Sequence, residues 1–541
     1  MAKVKTIFTY LIFIACVFAQ ILPLVRSGLS YPYGIGFWGP NGHDAVWHLS
    51  LINHITTPTN IPMPIYAGQK LTNYHPFYDI LIHYLNILTH LPTSILYFQV
   101  FPVISTILFL YLSYRLGGTY LLLLNTFANS LGWIVTLIKS GSFAGETVFW
   151  SMQSPSNQIN PPYILSIIFL LQLLLILKTK YKTGVLTIQN SLTIFLILVL
   201  LPVTKVYGAI IGFSLYSVFT IYHLYIHKKF SNLWLLIFSI ITSYYLFSVY
   251  NQNASSLLVF QPFWFIDSMF TSPDRLFFPI FSRLLFGPHR LIFELFGIGV
   301  FIIGNFGFRL LGFFQKKIYS DFYYLSIIFS IFIATLLPIL FIQKGTNWNT
   351  IQFVYYALIL SNILFAQILP QLSKLVVIFI FSTYFLTYIA TSPNYLGKIP
   401  PAALPYSELN ALQFLKQQPP GAVLTYPYDP HLRSQFTSTP LPLYAYETSS
   451  YVSAYSTHST FLEDEMNLQN SGYDVNLRRQ ASLAFFKQEN IYQDRGFLVN
   501  NDISYIYLAG LQLAKTSLNT QDLYIVPLYN QDNVVIYKVL K

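Results

Sequence analysis

The chain has 541 residues, 54% of them hydrophobic and only 9% charged, with a mean hydropathy of +0.53. Soluble globular chains carry roughly 25% charged residues, so this composition excludes one and calls for a protein that spans a membrane repeatedly. The formal charge of +11 does not point to nucleic acid, because Lys and Arg gather at the ends of apolar runs, where the positive-inside rule puts them.

The first apolar run, 6–25, follows the basic start "MAKVK". It is long and lacks a small-residue cleavage site, so an uncleaved helix is expected rather than a signal peptide. It holds Cys16, the single cysteine, which leaves no intrachain disulfide and no cysteine metal site. With Lys3 and Lys5 inside, the apolar runs lay out as about eleven spans, the later ones at 93–114, 119–138, 161–178, 187–203, 206–226, 231–250, 289–312, 321–343, 350–369 and 374–391. Every inner turn is then basic, with Arg115, "KTKYK" (178–182), "HKK" (227–229), "RLLGFFQKK" (309–317) and Lys374.

Two segments of the first outer loop are read as helices lying on the outer surface, 42–57 and 75–91. The second, "HPFYDILIHYLNILTHLP", is apolar enough to span but carries Asp79 and three histidines. Counting it as a span would also put "KTKYK" outside. Residues 1–392 therefore form the expected transmembrane domain. From about Tyr395 the runs shorten and acids appear. "SELNALQFLKQQPPGAVLTYP" reads as a capped helix, a Pro-Gly turn and a strand, and "DISYIYLAG" and "DLYIVPLYNQDNVVIYKVL" read as further strands. Residues 393–541 are thus expected to be a soluble α/β domain outside the cytoplasmic membrane, in which Glu463-Asp464-Glu465 is a solvated helix start. The fold class is a polytopic α-helical membrane protein with a C-terminal extracytoplasmic α/β domain.

Seven of the 19 acids precede residue 395: Asp44, Asp79, Glu146, Asp267, Asp274, Glu294 and Asp321. All but Asp321 fall on the outer side of this topology. Acids near a bilayer are costly, so their one-sided placement points to an outward polar cavity; simple solvation of loops gives the same distribution. Asp44 stands apart. In "NGHDAVWHLSLINHI" (41–55), a helical period puts Asp44, His48, Leu51 and Ile55 on one face and Ser50, Asn53 and His54 opposite. An acid within the apolar arc is either a helix-start cap or a functional group projecting into a cavity.

A first span, an outer loop with "HDAVWH" and a following "YHPFYDILIHYLNILTHLP" resemble the GT-C class of membrane glycosyltransferases, which includes protein O-mannosyltransferases and aminoarabinose transferases. Asp44 matches the acid of that class's first outer loop, and His75-Pro76 matches the start of its second loop helix. No Asp-Glu or Asp-x-Asp pair stands here, since His43 precedes Asp44. The resemblance implies a polyprenyl-phosphate sugar donor in the lipid bilayer and a glycan, lipid or protein acceptor outside it. It implies Asp44 as general base, with His48 as orienting partner or metal ligand, and Glu146 either on the acceptor or sharing a divalent ion (Mg2+, Mn2+ or Zn2+) with Asp44. For the donor phosphate the candidates are Lys205, Arg275, Arg283, Arg290 and Lys344, with His289 beside them. For acceptor or sugar they are His43, His75, Asp79, Gln153 and Asn157. Ordinary alternatives stand beside each: snorkelling for Lys205, headgroup contact for the arginines, packing for the histidines and loop polarity for the rest.

Two other functions compete. A transporter or flippase carries charges within its spans near the midplane, or paired broken helices. A non-catalytic envelope assembly protein works through its outer domain alone.

Overall fold

The computed structural model describes residues 2–150, 154–251, 258–278, 290–488 and 491–540. They divide into two compact units, one of Met1–Pro23, His75–Tyr78 and Pro102–Leu396, the other of Leu24–Tyr74, Asp79–Phe101 and Gly397–Lys541.

Within the described residues, nine helices are long and apolar enough to cross a bilayer, and Ile188–Thr204 is a shorter apolar helix. The protein is a multi-pass membrane protein. The expected runs 93–114 and 119–138 fall in one 48-residue stretch, Thr93–Ser140. That stretch turns at Gly118, whose φ of 67° and ψ of −158° suit only a residue without Cβ. In the first unit, the window around Asn347–Gln371 is 78% buried and that of Phe230–Tyr250 only 22%. The former is thus central, and the latter marginal, with Trp234, Phe238 and Tyr244 exposed as lipid-facing side chains. The helix Phe322–Leu340 packs on both Gln352–Ile368 and Val206–His227. Lys205 interrupts two helices, with extended backbone between Ile188–Thr204 and Val206–His227.

The second unit holds two sheets. In one, Ala422–Thr425 runs parallel to Ile503–Ala509, which pairs antiparallel with Val534–Val539, itself antiparallel to Ile525–Gln531. The strands expected at "DISYIYLAG" and in the last hairpin are in place. The hairpin turns at Asp532 and Asn533, with φ of 51° and 60°, the left-handed pair that a two-residue loop needs. In the other sheet, Gly34–Phe37 pairs antiparallel with Ala402–Leu404, which pairs with Leu441–Pro442. This pairing lies within the unit that groups Leu24–Tyr74 with Gly397–Lys541.

The two loop helices differ from expectation in different ways. Asp44–His54 is not an amphipathic surface helix, because every residue from Ala45 to Ile52 is buried. Its polar side, expected to face water, packs on the helix Tyr451–Ser456, where Ser50 Oγ meets Ser453 Oγ at 2.7 Å and Asn53 donates to the Ala454 carbonyl. Phe77–Thr89 does keep an exposed apolar face, with Tyr84, Ile87 and Leu88. Its 13 residues reach about 20 Å, short of the ~30 Å of a hydrocarbon core.

Candidate active site

Asp44 begins its helix, while His43 occupies the cap position without a side-chain cap bond. The Asp44 side chain is 51% exposed, the one open residue between Asn41 and Ile52. Its Oδ1 lies 2.9 Å from His43 Nδ1, and His43 Nε2 lies 3.1 Å from Asp464 Oδ1. One imidazole thus bridges two carboxylates. Asp464 also accepts from Thr448 and Asn467. Burial of His43 works against its charged form, but the field of Asp464 and the hydrogen bonds to Asp44 and Asp464 outweigh that, so its pKa is raised well above the ordinary histidine value. The ring is therefore a cation that keeps Asp44 oriented.

His48, expected to orient Asp44, faces another acid. Its Nδ1 lies 2.7 Å from Asp79 Oδ1. Asp79 is fully buried, and burial raises its pKa against the lowering effect of His48. Trp47 Nε1 donates to the Tyr74 hydroxyl beside this pair. His43 and Asp79, expected at the acceptor, thus hold Asp44 and His48 respectively.

The remaining candidates belong to the first unit. Glu146 accepts from Ser156 Oγ, and burial pushes its pKa up to about 7. Next to it, the Thr147 carbonyl accepts from Arg275, whose guanidinium lies 3.8 Å above the Trp150 ring. Arg275 thus reaches the backbone beside Glu146. Lys205 is 5% exposed, with Nζ 5.8 Å from the Tyr207 ring. Arg290 is engaged by Glu294 at 2.6 Å and by Asp267 at 3.9 Å, which lessens its availability to a phosphate. Lys344 is exposed and His75 half-buried. Asn157, expected to reach a sugar, is buried and donates to Gln20 Oε1 and the Asn125 carbonyl. Arg283, Gln153 and His289 lie outside the described residues.

Sequence reasoning missed Asp464. Its acidic run was read as solvated, yet Glu463 and Asp464 are 7% and 3% exposed. Glu463 receives the N–H groups of Val452 and Ser453 at the start of one helix, and Asp464 caps the helix Glu465–Asn470. The capping pattern was visible locally; the approach of His43 from far along the chain was not.

Asp44 and Glu146, expected to share a divalent ion, belong to different units, the first beside His43 and the second beside Ser156. Among the described residues no three His, Cys, Asp or Glu side chains gather as a metal site, and an imidazole stands between Asp44 and Asp464.

No family model matches the sequence, and no curated protein matches it. Solved structures do match. The apo oligosaccharyltransferase of Archaeoglobus fulgidus superposes with a TM-score of 0.50 at 12% identity, over 94% of this chain and 70% of that one. The same enzyme tethered to an acceptor peptide with the NVT sequon gives 0.50 at 11%, over the same shares. The chain shares the overall fold of these structures. ArnT from Cupriavidus metallidurans bound to undecaprenyl phosphate gives 0.49 at 10%, over 99% of this chain and 98% of that one.

Proposed function

We propose that this protein is a membrane glycosyltransferase that moves a sugar from a polyprenyl-phosphate donor to an acceptor outside the cytoplasmic membrane, with inversion. The observation that carries the reading is the half-open carboxylate of Asp44, standing out of a buried helix and held by His43 within a GT-C fold. In the reaction, the acceptor hydroxyl gives its proton to Asp44 as its oxygen attacks the anomeric carbon. The bond from that carbon to the phosphate oxygen breaks, and the polyprenyl phosphate departs with the electron pair. The His43 cation, fixed between two carboxylates, steadies Asp44 in the orientation that takes the proton. His48, on the same helix as Asp44, forms a second ordered pair with Asp79 of the helix Phe77–Thr89. Lys205 and Arg275 are the candidates for the departing phosphate, since both are amphipathic cations set among aromatic rings. No step is routed through a metal ion.

The test is transfer by the purified protein from a polyprenyl-phosphate sugar to membrane-derived acceptors, alongside native mass spectrometry. Asp44→Asn is expected to lower turnover by about 10²–10⁴-fold while selective retention of polyprenyl phosphate over phospholipid persists. Lys205→Ala is expected to weaken that retention about tenfold, or ~1.4 kcal/mol. Undiminished transfer by Asp44→Asn removes it as the base, and no preference for the polyprenyl lipid removes the donor assignment.

A further inference from the structure

We propose that Asp464 is a positioning residue for the transfer reaction: it fixes the His43 ring, and through that ring the carboxylate of Asp44. The inference rests on the glycosyltransferase reading and gives the C-terminal residues a part in handling the acceptor proton. A plainer role competes with it. Asp464 begins the helix Glu465–Asn470, and capping alone accounts for many aspartates at such a place. Its geometry departs from a simple cap. The backbone is left-handed, with φ of 45° and ψ of 64°, a conformation uncommon outside glycine, whereas a capping residue ordinarily sits in extended backbone. The cap bond is long, 3.4 Å from the Asn467 N–H to Oδ1, while the same oxygen lies 3.1 Å from His43 Nε2. Thr448 Oγ and the Asn467 side chain donate to the carboxylate as well. Its oxygens are therefore aimed from several directions at once, and the side chain is fully buried.

His43 needs such a hold. It precedes the helix Asp44–His54 and makes no side-chain cap bond there, so that helix does not set the orientation of the ring. Its Nδ1 meets Asp44, the next residue in the chain, and so close a neighbour moves with it. The contact at Nε2 comes instead from 421 residues away. The turn before His43 is tied to the same region, where the Tyr446 hydroxyl donates to the Gly39 carbonyl and Ser449 Oγ to the Gly42 carbonyl. Asp464 thus meets a ring whose backbone is already placed, and it settles the rotation that remains. A bond between a cationic ring and a carboxylate is roughly twice as strong as a neutral one. An amide in place of Asp464 keeps the shape and the cap but loses that strength, and the half-exposed Asp44 then follows a looser ring.

The test is the transfer assay above on the full chain in nanodiscs, with kcat and the KM for acceptor measured separately. Asn caps a helix as well as Asp, so a capping role predicts wild-type turnover in Asp464→Asn. The positioning role predicts a kcat lower by about 10–100-fold with KM unchanged. In a His43→Gln background, Asp464→Asn is expected to cost nothing further, because the ring through which it acts is gone. Glu463→Gln disturbs the same turn at its bonds to Val452 and Ser453, and its kcat per folded molecule is expected near wild type. Thr448→Val removes one donor to Asp464 and is expected to lower kcat several-fold, which decides the matter if Asp464→Asn does not fold. Unchanged turnover in Asp464→Asn, an equal loss in the His43→Gln background, or an equal loss in Glu463→Gln overturns the proposal. Any of these with active wild type defeats the role of Asp464 alone; no transfer by wild type defeats the glycosyltransferase reading and the proposal with it.

Discussion

Two of the places where the described residues bury charge neutralise it in opposite ways. In the membrane-spanning unit, Arg309 is 2% exposed and meets only neutral partners. Its Nε donates to Asn362 Oδ1 at 2.8 Å, and its NH1 group donates to the carbonyls of Asn129 and Asn305. Asn362 in turn donates to Asn125, which donates to Ser113. In the second unit, His43 and His48 face carboxylates instead. Amide dipoles hold a charge without exchanging protons with it, so they fix helices against one another. Carboxylate and imidazole partners exchange protons readily, which is what a site for general base catalysis needs. The contrast also bears on the transporter reading. Arg309, a buried charge of the spans that could have favoured it, is tied into an amide network.

The largest expected break of this contrast comes from Arg309→Met. It strands Asn362 Oδ1 and two backbone carbonyls in an apolar interior, and unmade buried acceptors cost about 1–3 kcal/mol each. Thermal unfolding in detergent is expected to move down by an amount equivalent to a loss of roughly 3 kcal/mol, with residual transfer per folded molecule near wild type. Folded protein that has lost transfer instead would give Arg309 a part in the chemistry and remove the distinction between the two regions.

Arg309 also shows where sequence legibility stopped. The positive-inside rule counted it among the basic residues of an inner turn; the structure leaves only Lys316 and Lys317 of that turn exposed as such signals and draws Arg309 into the interior. The apolar runs themselves were legible because hydropathy over about 20 residues is a local property, and each run carries a helix. The terminal hairpin was legible for the same reason, through alternation and its turn residues. Asp44 stood out in the sequence because it broke the apolar arc of its own helix, and it is exposed there among buried neighbours. Its partner was not, because Asp464 comes to it by tertiary folding and no local pattern encodes that approach. The His48–Asp79 pair was hidden likewise, each residue having been judged on its own helix.

A smaller effect sharpens the proton-handling side of the contrast. Asp79 acts through His48: by accepting from Nδ1 it fixes which nitrogen carries the proton. Asp79→Asn keeps the size but reverses that preference, since the amide N–H2 can donate to Nδ1. Turnover is expected to fall about 10–100-fold with little change in KM, and ¹⁵N NMR of His48 is expected to report the altered tautomer. A merely structural pair would lose stability but leave the tautomer and the pH profile of turnover where they were.

The smallest effect concerns stability and pH. Burial raises the Glu463 carboxyl from 4.5 to about 8, against the lowering by the Val452 and Ser453 N–H groups. A carboxyl whose pKa is higher in the folded chain binds its proton more tightly there, so folding is favoured fully below about pH 4.5. As pH rises, the unfolded chain ionises first, and this contribution fades until about pH 8, where the folded form ionises too. Glu463→Gln cannot ionise in either state. The variant is therefore expected to keep a flatter unfolding temperature between pH 5 and 8 than wild type, whatever its absolute value. The opposite slope, with wild type gaining stability over that window, would mean that the two helix N–H groups dominate and hold Glu463 as a carboxylate.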